Sequence, residues 1–296
     1  MRDTDTTMSS NQVYLNGRIV DADDARISVS DAAFLHGASV FTTMLARNGL
    51  VFRLERHLDR LMDTVAMLGF RTDATRESLR DAARRVLEAN ALSDARMRIT
   101  LTPGSIRNGE PTTLVTAEAL PEYPQQWYEE GISVIVSSSR QAQGGPTVGH
   151  KTGCYLPRVL ARQEAAASGA EEALWYTPDN RLAEACFCNV FLVMAGKVLT
   201  PPLETPVLGG VVREAVIELC DQLEIPCDYK TPLSVHEMLA AEEMFLTASC
   251  SGIRPVVRVE RHAVGGEKPG PITRRIMTAY GQLLDTECPK DKTRSS

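Results

Sequence analysis

A two-domain chain of mixed α/β (α+β) character is the fold class this sequence predicts, and three observations predict it. Runs rich in β-branched and aromatic residues alternate with amphipathic stretches of helical period. Prolines and polar residues gather at Pro121-Glu122-Tyr123-Pro124-Gln125-Gln126. The length, 296 residues, is enough to bury two separate cores. The expected division is a small α+β domain over 11–120, an interdomain linker over 121–130 and a larger domain over 131–286.

Taken in order, Val13 to Val20 holds two short apolar runs around Asn16-Gly17, the strongest short-range hairpin signal. Ser30-Asp31 caps a short helix, Ala32 to His36, that Gly37 ends. Val40 to Ala46 and Leu50 to Leu54 read as a second hairpin about Arg47-Asn48-Gly49. Leu58, Leu61, Met62, Val65 and Leu68 then recur at three- and four-residue steps, the mark of an amphipathic helix over Glu55 to Phe70, with Arg60 beside the stripe. A helix over Arg76 to Ala91 and strands over Met97 to Leu101 and Thr113 to Ala117 complete the first half.

The second half opens with a strand over Ser133 to Ser138 and crosses the glycine-rich loop Gly144 to Gly149. A helix follows over Leu156 to Ser168, then strands over Glu172 to Tyr176, Ala183 to Val193 and Lys197 to Thr200. Val212, Val216, Leu219, Cys220 and Leu223 give helical spacing over Val211 to Leu223. Strands over Met244 to Ala248 and Val256 to Val259, a helix over Ile272 to Leu284 and a frayed tail over Pro289 to Ser296 end the chain.

Composition narrows the function classes. A net charge of -6 without a long basic run argues against nucleic acid as the main partner, which is bound through clustered Lys and Arg. No apolar stretch approaches a membrane span, and Met1 to Ser10 is too polar for a secretory signal, so a cytoplasmic enzyme is expected. The seven cysteines never form Cys-x-x-Cys, which weakens structural-zinc and redox-pair readings, and no metal site is expected. Those in apolar runs such as Ala185-Cys186-Phe187-Cys188 are expected to be buried thiols.

Lys151 stands out because every strong base before it is arginine. Arginine serves structural cation roles at least as well, whereas lysine can lose its proton on desolvation and attack a carbonyl carbon. The bland alternative is a solvated loop lysine. Glu184 lies in the apolar run Leu182 to Phe187, where a carboxylate either faces solvent or is buried with an obligatory partner. Gly209-Gly210-Val211-Val212-Arg213 places glycines before a helix, whose free N–H groups either hold a phosphate or mark a turn. Thr247 and Ser249 follow a strand end, with hydroxyls that either bind an anion or cap. A carbonyl-reactive amine, a phosphate cradle, an arginine and a carboxylate for a ring nitrogen together make the protein half of a pyridoxal phosphate site.

From Val13 to Leu284 the order of segments resembles the fold-type IV pyridoxal phosphate enzymes, the class IV aminotransferases, which include branched-chain aminotransferases, D-amino acid transaminases and 4-amino-4-deoxychorismate lyases. His57-Leu58-Asp59-Arg60-Leu61 resembles the helix whose arginine holds the cofactor phosphate, and Ala161 to Ala165 resembles the helix after the Schiff-base lysine, where Lys151 falls. Glu184 through Asn189-Val190-Phe191 is similar to the family signature that sets a glutamate at the pyridine nitrogen. Gly210-Val211-Val212-Arg213 resembles the phosphate turn, with Val212 where the family usually has threonine. Ala241 to Thr247 and Ile253-Arg254-Pro255-Val256 match the last block, which puts Ser249 at a phosphate contact. The resemblance thus implies a pseudo-barrel larger domain, a homodimer with Phe34 to Ser39 near the partner's active site, a small-molecule amino substrate, and pyridoxal 5'-phosphate held by Arg60, Lys151, Glu184, Val211, Val212 and Ser249.

Within the family, three details point to the lyase, which would form p-aminobenzoate and release pyruvate. They are Val40-Phe41-Thr42-Thr43, the run Lys151-Thr152-Gly153-Cys154-Tyr155-Leu156, and Thr205-Pro206-Val207-Leu208. The alternatives are a branched-chain or D-amino acid transaminase, although neither the Arg-x-His pair of the D-amino acid enzymes nor the Tyr-x-Arg motif of the branched-chain enzymes has a counterpart; Arg96-Met97-Arg98 stands near the latter's place. A catalytically silent scaffold on the same fold is opposed by intact Lys151 and Glu184. The candidate substrate contacts are Phe41, Thr43, Arg98, Tyr155 and Cys250.

Overall fold

The computed structural model describes residues 11–105, 107 and 109–290, so the polar start at Met1 to Ser10 and the tail beyond Lys290 lie outside the described residues. The chain divides into two compact units, Met1–Leu120 and Pro121–Ser296.

The first unit runs β1 (Gln12–Leu15), β2 (Arg18–Asp21), α1 (Ala32–His36), β3 (Val40–Arg47), β4 (Leu50–Val51), α2 (Leu54–Leu68), α3 (Arg76–Ala89), β5 (Ala95–Thr102) and β6 (Thr112–Ala119). Its six strands form one antiparallel sheet in the order β2-β1-β6-β5-β3-β4. The β1–β2 turn takes Asn16 and Gly17 at φ 47° and 93°, the paired positive values that Asn-Gly tolerates. Leu58, Leu61 and Val65 of α2 and Leu79, Ala82, Ala83 and Val86 of α3 bury against Met44, Met97 and Ile99 of the sheet. The second hairpin is shorter than its sequence predicts. Arg53 adopts φ 48°, which turns the chain out of β4 so that Leu54 opens α2 instead of extending the strand.

Asp31 pins α1 to this sheet. Its carboxylate, 1% exposed, accepts from Ala33 N at 2.7 Å, Thr102 Oγ1 at 2.7 Å and Thr112 Oγ1 at 3.0 Å. Asp31→Ala removes a helix cap and strands two buried hydroxyls, so a loss of about 2–4 kcal/mol is expected. The urea midpoint of the variant checks it, and an unmoved midpoint contradicts it.

The second unit continues with α4 (Gln126–Glu129), β7 (Ile132–Arg140), α5 (Leu156–Ala167), β8 (Glu172–Tyr176), β9 (Leu182–Ala185), β10 (Asn189–Met194) and β11 (Lys197–Leu199). It ends with α6 (Val211–Gln222), β12 (Cys227–Asp228), α7 (Val235–Ala240), β13 (Glu243–Ala248), β14 (Gly252–Val259), β15 (His262–Ala263) and α8 (Pro271–Glu287). The sheet runs β12-β11-β10-β13-β14-β7-β8-β9, with β15 on β14. Its β11–β12, β14–β7 and β7–β8 pairs are parallel and the others antiparallel. Because Cys186 to Cys188 alone join β9 to β10, the end of the row lies beside its third strand, and the sheet curls into a half-barrel. Across β10 and β13 the paired Phe191 and Phe245 rings, both fully buried, stack with centroids 4.8 Å apart.

Three features depart from the sequence reading. The stretch 121–130 carries α4, which docks within its own unit: Tyr128 donates to the Ser251 carbonyl at 2.9 Å, and the Arg254 guanidinium lies 5.4 Å from the Trp127 ring. Ala183 to Val193 is two strands, not one. Ala185 N donates to Cys188 O at 2.8 Å and folds the chain through a tight turn that the apolar residues 185–188 do not signal. Last, α7 arises from a capping box in which Ser234 and Glu237 satisfy each other's backbone N–H groups, within too short an apolar pattern to stand out.

Candidate active site

Lys151 sits at the end of the loop that joins β7 to α5, with Gly149 at φ 77° just before it. Its Nζ donates to Tyr155 Oη at 3.2 Å and lies 5.2 Å from the centre of that ring. Tyr155 is the N-cap of α5 and stacks on Phe187 with centroids 5.8 Å apart. The loop, α5 and the β9–β10 turn thereby hold the amine in a cavity of about 240 Å³, whose walls include Lys151, Tyr155, Trp175, Glu184, Phe187 and Leu208.

Glu184 faces inward from β9 and is 5% exposed, which decides between the two readings of that carboxylate in favour of burial with a partner. The partner is Arg158, from the first turn of α5, whose Nη2 meets Glu184 Oε1 at 2.5 Å. The same nitrogen donates to Gln141 Oε1 at 3.1 Å, while Nη1 donates to the Ala185 and Cys186 carbonyls at 3.0 and 2.9 Å. Burial alone would lower the Arg158 guanidinium, but the Glu184 carboxylate and, less strongly, the Tyr155 hydroxyl outweigh it and hold Arg158 above its ordinary value. Removing one member of such a pair typically costs about 3–5 kcal/mol, because the other is left buried and charged.

The second Glu184 oxygen accepts from Leu208 N at 3.0 Å, and Asn189 Nδ2 donates to Leu208 O at 2.8 Å. The strap before α6 is thus tied to both ends of the β9–β10 turn, and Gln141 Nε2 holds it again at Pro206 O, 2.8 Å away. Burial pushes the Cys186 and Cys188 thiols up, to about 11 and about 12, so neither serves as a nucleophile near neutral pH.

The remaining candidates in this unit are elsewhere. Val211 and Val212 form the first turn of α6, with Gly210 as an N-cap lacking a side-chain cap bond, and both valine side chains are buried. Ser249 and Cys250 sit in the turn between β13 and β14. None of these four lines the cavity that holds Lys151 and Glu184. In the first unit, Arg60 Nη2 donates to Thr42 Oγ1 at 3.1 Å, and Thr42 Oγ1 is 2.9 Å from His57 Nδ1. Arg98 lays its guanidinium 3.5 Å from the centre of the Phe41 ring and donates through Nε to Thr100 Oγ1 at 3.0 Å, while Thr43 pairs with Arg98 across β3 and β5.

The profile of the family described as Amino-transferase class IV matches residues 39–259, three quarters of the chain. This chain belongs to the class IV aminotransferase family. Members of that family are pyridoxal-phosphate-dependent enzymes, and this chain is one of them. A Methanocaldococcus jannaschii relative, provisionally named a branched-chain-amino-acid aminotransferase, is 32% identical over 282 residues, covering 92% of this chain and 96% of that protein. The crystal structure of the branched-chain amino acid aminotransferase of Escherichia coli superposes with a TM-score of 0.88 at 28% identity, covering 97% of this chain and 98% of that one. A Legionella pneumophila structure, provisionally named a 4-amino-4-deoxychorismate lyase, superposes at 0.79 with 21% identity over 88% of this chain and 96% of that one, a likeness of fold.

The residues of this cavity fit the family's cofactor: a lysine amine and a buried carboxylate paired with a guanidinium face one space, and the strap at Leu208 leads to the N–H groups at the start of α6. A Cβ added to Gly210 would lie 2.0 Å from Asn189 Oδ1, so the close approach of α6 to Asn189 requires glycine. Gly210→Ala must push Asn189 off Leu208, and a loss of about 1–3 kcal/mol of stability is expected. A weaker grip on pyridoxal phosphate should accompany it, read as a raised Kd in a cofactor titration of the apoenzyme; unchanged values of both would refute the packing argument.

Arg158 is the residue that sequence reading missed. It lies three residues beyond Tyr155, one helical turn on, but its partner is 26 positions away on a strand, and nothing local marks the pair.

Proposed function

We propose that this protein is an amino-acid transaminase that moves the amino group of a branched-chain or similar hydrophobic amino acid onto a 2-oxo acid. The observation that carries the reading is the single cavity in which the Lys151 amine and the Glu184 carboxylate stand among the aromatic rings of Tyr155, Trp175 and Phe187. When bound, pyridoxal phosphate supplies a carbonyl for the amino group and a ring that accepts electrons. Lys151 Nζ anchors that carbonyl and then carries the proton to and from the substrate carbon that bears nitrogen. Tyr155 Oη positions Nζ, and Glu184 holds the proton on the ring nitrogen. Arg60, the N–H groups of Val211 and Val212, and the Ser249 hydroxyl are assigned to the phosphate on the resemblance of their segments. Phe41, Thr43, Arg98 and Cys250 are carried as substrate contacts on the same ground. Val212 in place of threonine removes a hydroxyl but no backbone donor, which supports a modest loss of phosphate affinity.

The lyase expected from the three local motifs has less support. Branched-chain relatives align over nearly the whole chain at 23–32% identity, against 21% over 88% of the chain for the lyase-named structure. Incubation of the holoenzyme with leucine, valine, D-alanine or glutamate plus a 2-oxo acid acceptor, and separately with aminodeoxychorismate, decides the matter. A branched-chain keto acid from L-leucine is expected; p-aminobenzoate formation without keto acid would reinstate the lyase.

The family resemblance further implies a homodimer. The exposure of Val29 and Phe34, 78% and 74%, with Leu35 beside them, supports an apolar face covered by a second copy. Sedimentation velocity is expected to give a dimer, and a monomer with full activity would refute it.

A further inference from the structure

Arg158 has no role in the assignments above, yet its two terminal nitrogens make four hydrogen bonds inside the cavity wall. Its position is costly twice over. It is a cation in the first turn of α5, where the helix dipole disfavours positive charge, and its side chain is only 16% exposed. Helix stability therefore does not account for it, and surface charge does not either. The rings of Tyr155 and Trp175, 5.6 and 5.4 Å from the guanidinium carbon, fix the plane of the fork.

The effect falls on Glu184. Arg158 takes Oε1 and Leu208 N takes Oε2, so the carboxylate is held in one orientation, with an acceptor site left on each oxygen. Other titratable groups face the same space: Arg140 from β7; His150, Lys151 and Cys154 from the following loop; and Tyr155 from α5. The β9–β10 turn adds the thiols of Cys186 and Cys188, which burial keeps protonated. Arg158 is the cation in direct contact with Glu184 at 2.5 Å.

We propose that Arg158 is a positioning residue for the cofactor ring: it locks the Glu184 carboxylate toward the cavity and, by sharing its charge, moderates how firmly that carboxylate holds the proton on the ring nitrogen. The inference rests on the reading of Glu184 as the partner of that nitrogen. A lone buried carboxylate would grip the proton more tightly; one already paired with a guanidinium grips it less. The substrate-side consequence is a ring that accepts electrons less strongly than an unmodified glutamate would make it.

The test uses holoenzymes reconstituted with pyridoxal phosphate labelled with nitrogen-15 in the ring, whose chemical shift reports protonation across a pH titration. Arg158→Gln is expected to keep the ring proton to a pH at least about one unit higher than wild type, a tenfold change in proton affinity. Arg158→Lys keeps the charge but loses the fork that also binds Gln141 and the two carbonyls, so a smaller shift in the same direction is expected. That second variant decides the matter if Arg158→Gln does not fold. Glu184→Gln, with no carboxylate, should release the proton at a lower pH than wild type. An unmoved titration in the folded Arg158 variants, alongside a moved one in Glu184→Gln, would overturn the role of Arg158 alone. An unmoved titration in Glu184→Gln would overturn the reading of Glu184 itself, and the role of Arg158 with it.

Discussion

Lys151→Ala is expected to abolish turnover, by at least about 10⁴-fold, because one substitution removes both the cofactor anchor and the group that carries the proton. The side chain sits in a loop and lines the cavity, where it donates to Tyr155 Oη at 3.2 Å, so the fold should survive. Circular dichroism would show that survival. Borohydride reduction supplies the second readout: it should fix the cofactor irreversibly to the wild-type chain, at Lys151, and to no residue of the variant. Retained turnover, or a reduced cofactor found on another lysine, would sink the assignment.

Glu184→Gln is expected to lower kcat by about 10²–10³-fold, the usual cost of deleting one preorganised electrostatic contact, with cofactor still bound. Glutamine keeps the shape, but its single oxygen can replace only one of the two carboxylate acceptors, so either the Arg158 or the Leu208 N contact is lost. It also leaves the Arg158 charge without its counter-ion, in a pocket where that side chain is 16% exposed. A drop in thermal stability should therefore accompany the loss of rate. If kcat is unchanged while stability falls, Glu184 is a structural partner of Arg158 and no more.

Much of the fold was legible in the order of residues, for reasons that are local. The Asn16-Gly17 turn, the Asp31 cap and the Gly37 stop depend on backbone preferences of a few neighbouring residues, and the stripe Leu58, Leu61, Val65 repeats with the helix itself. The reading failed where local chemistry is silent. Leu182 to Val193 is apolar throughout but for Glu184 and Asn189, so no periodicity marks the turn at Cys186 to Cys188. Arg53, bearing φ 48° without being glycine or asparagine, ended a strand that composition would have continued.

The site divides along the same line. By itself the sequence determined that a lysine preceded, among strong bases, only by arginines, a carboxylate in an apolar strand and a glycine-led helix occur in one chain, in the order the class IV aminotransferases use. Residue type and spacing carry that much, because the chemistry of an amine or a carboxylate is local. Only the tertiary structure decided that Glu184 is buried, that it shares a cavity with Lys151, and that Arg158 and Leu208 hold its two oxygens. The physical reason is that a buried charge takes its partners from whatever elements the fold brings against it. Here α5, β9 and the strap before α6 converge on one carboxylate from positions 24 and 26 residues apart in the chain.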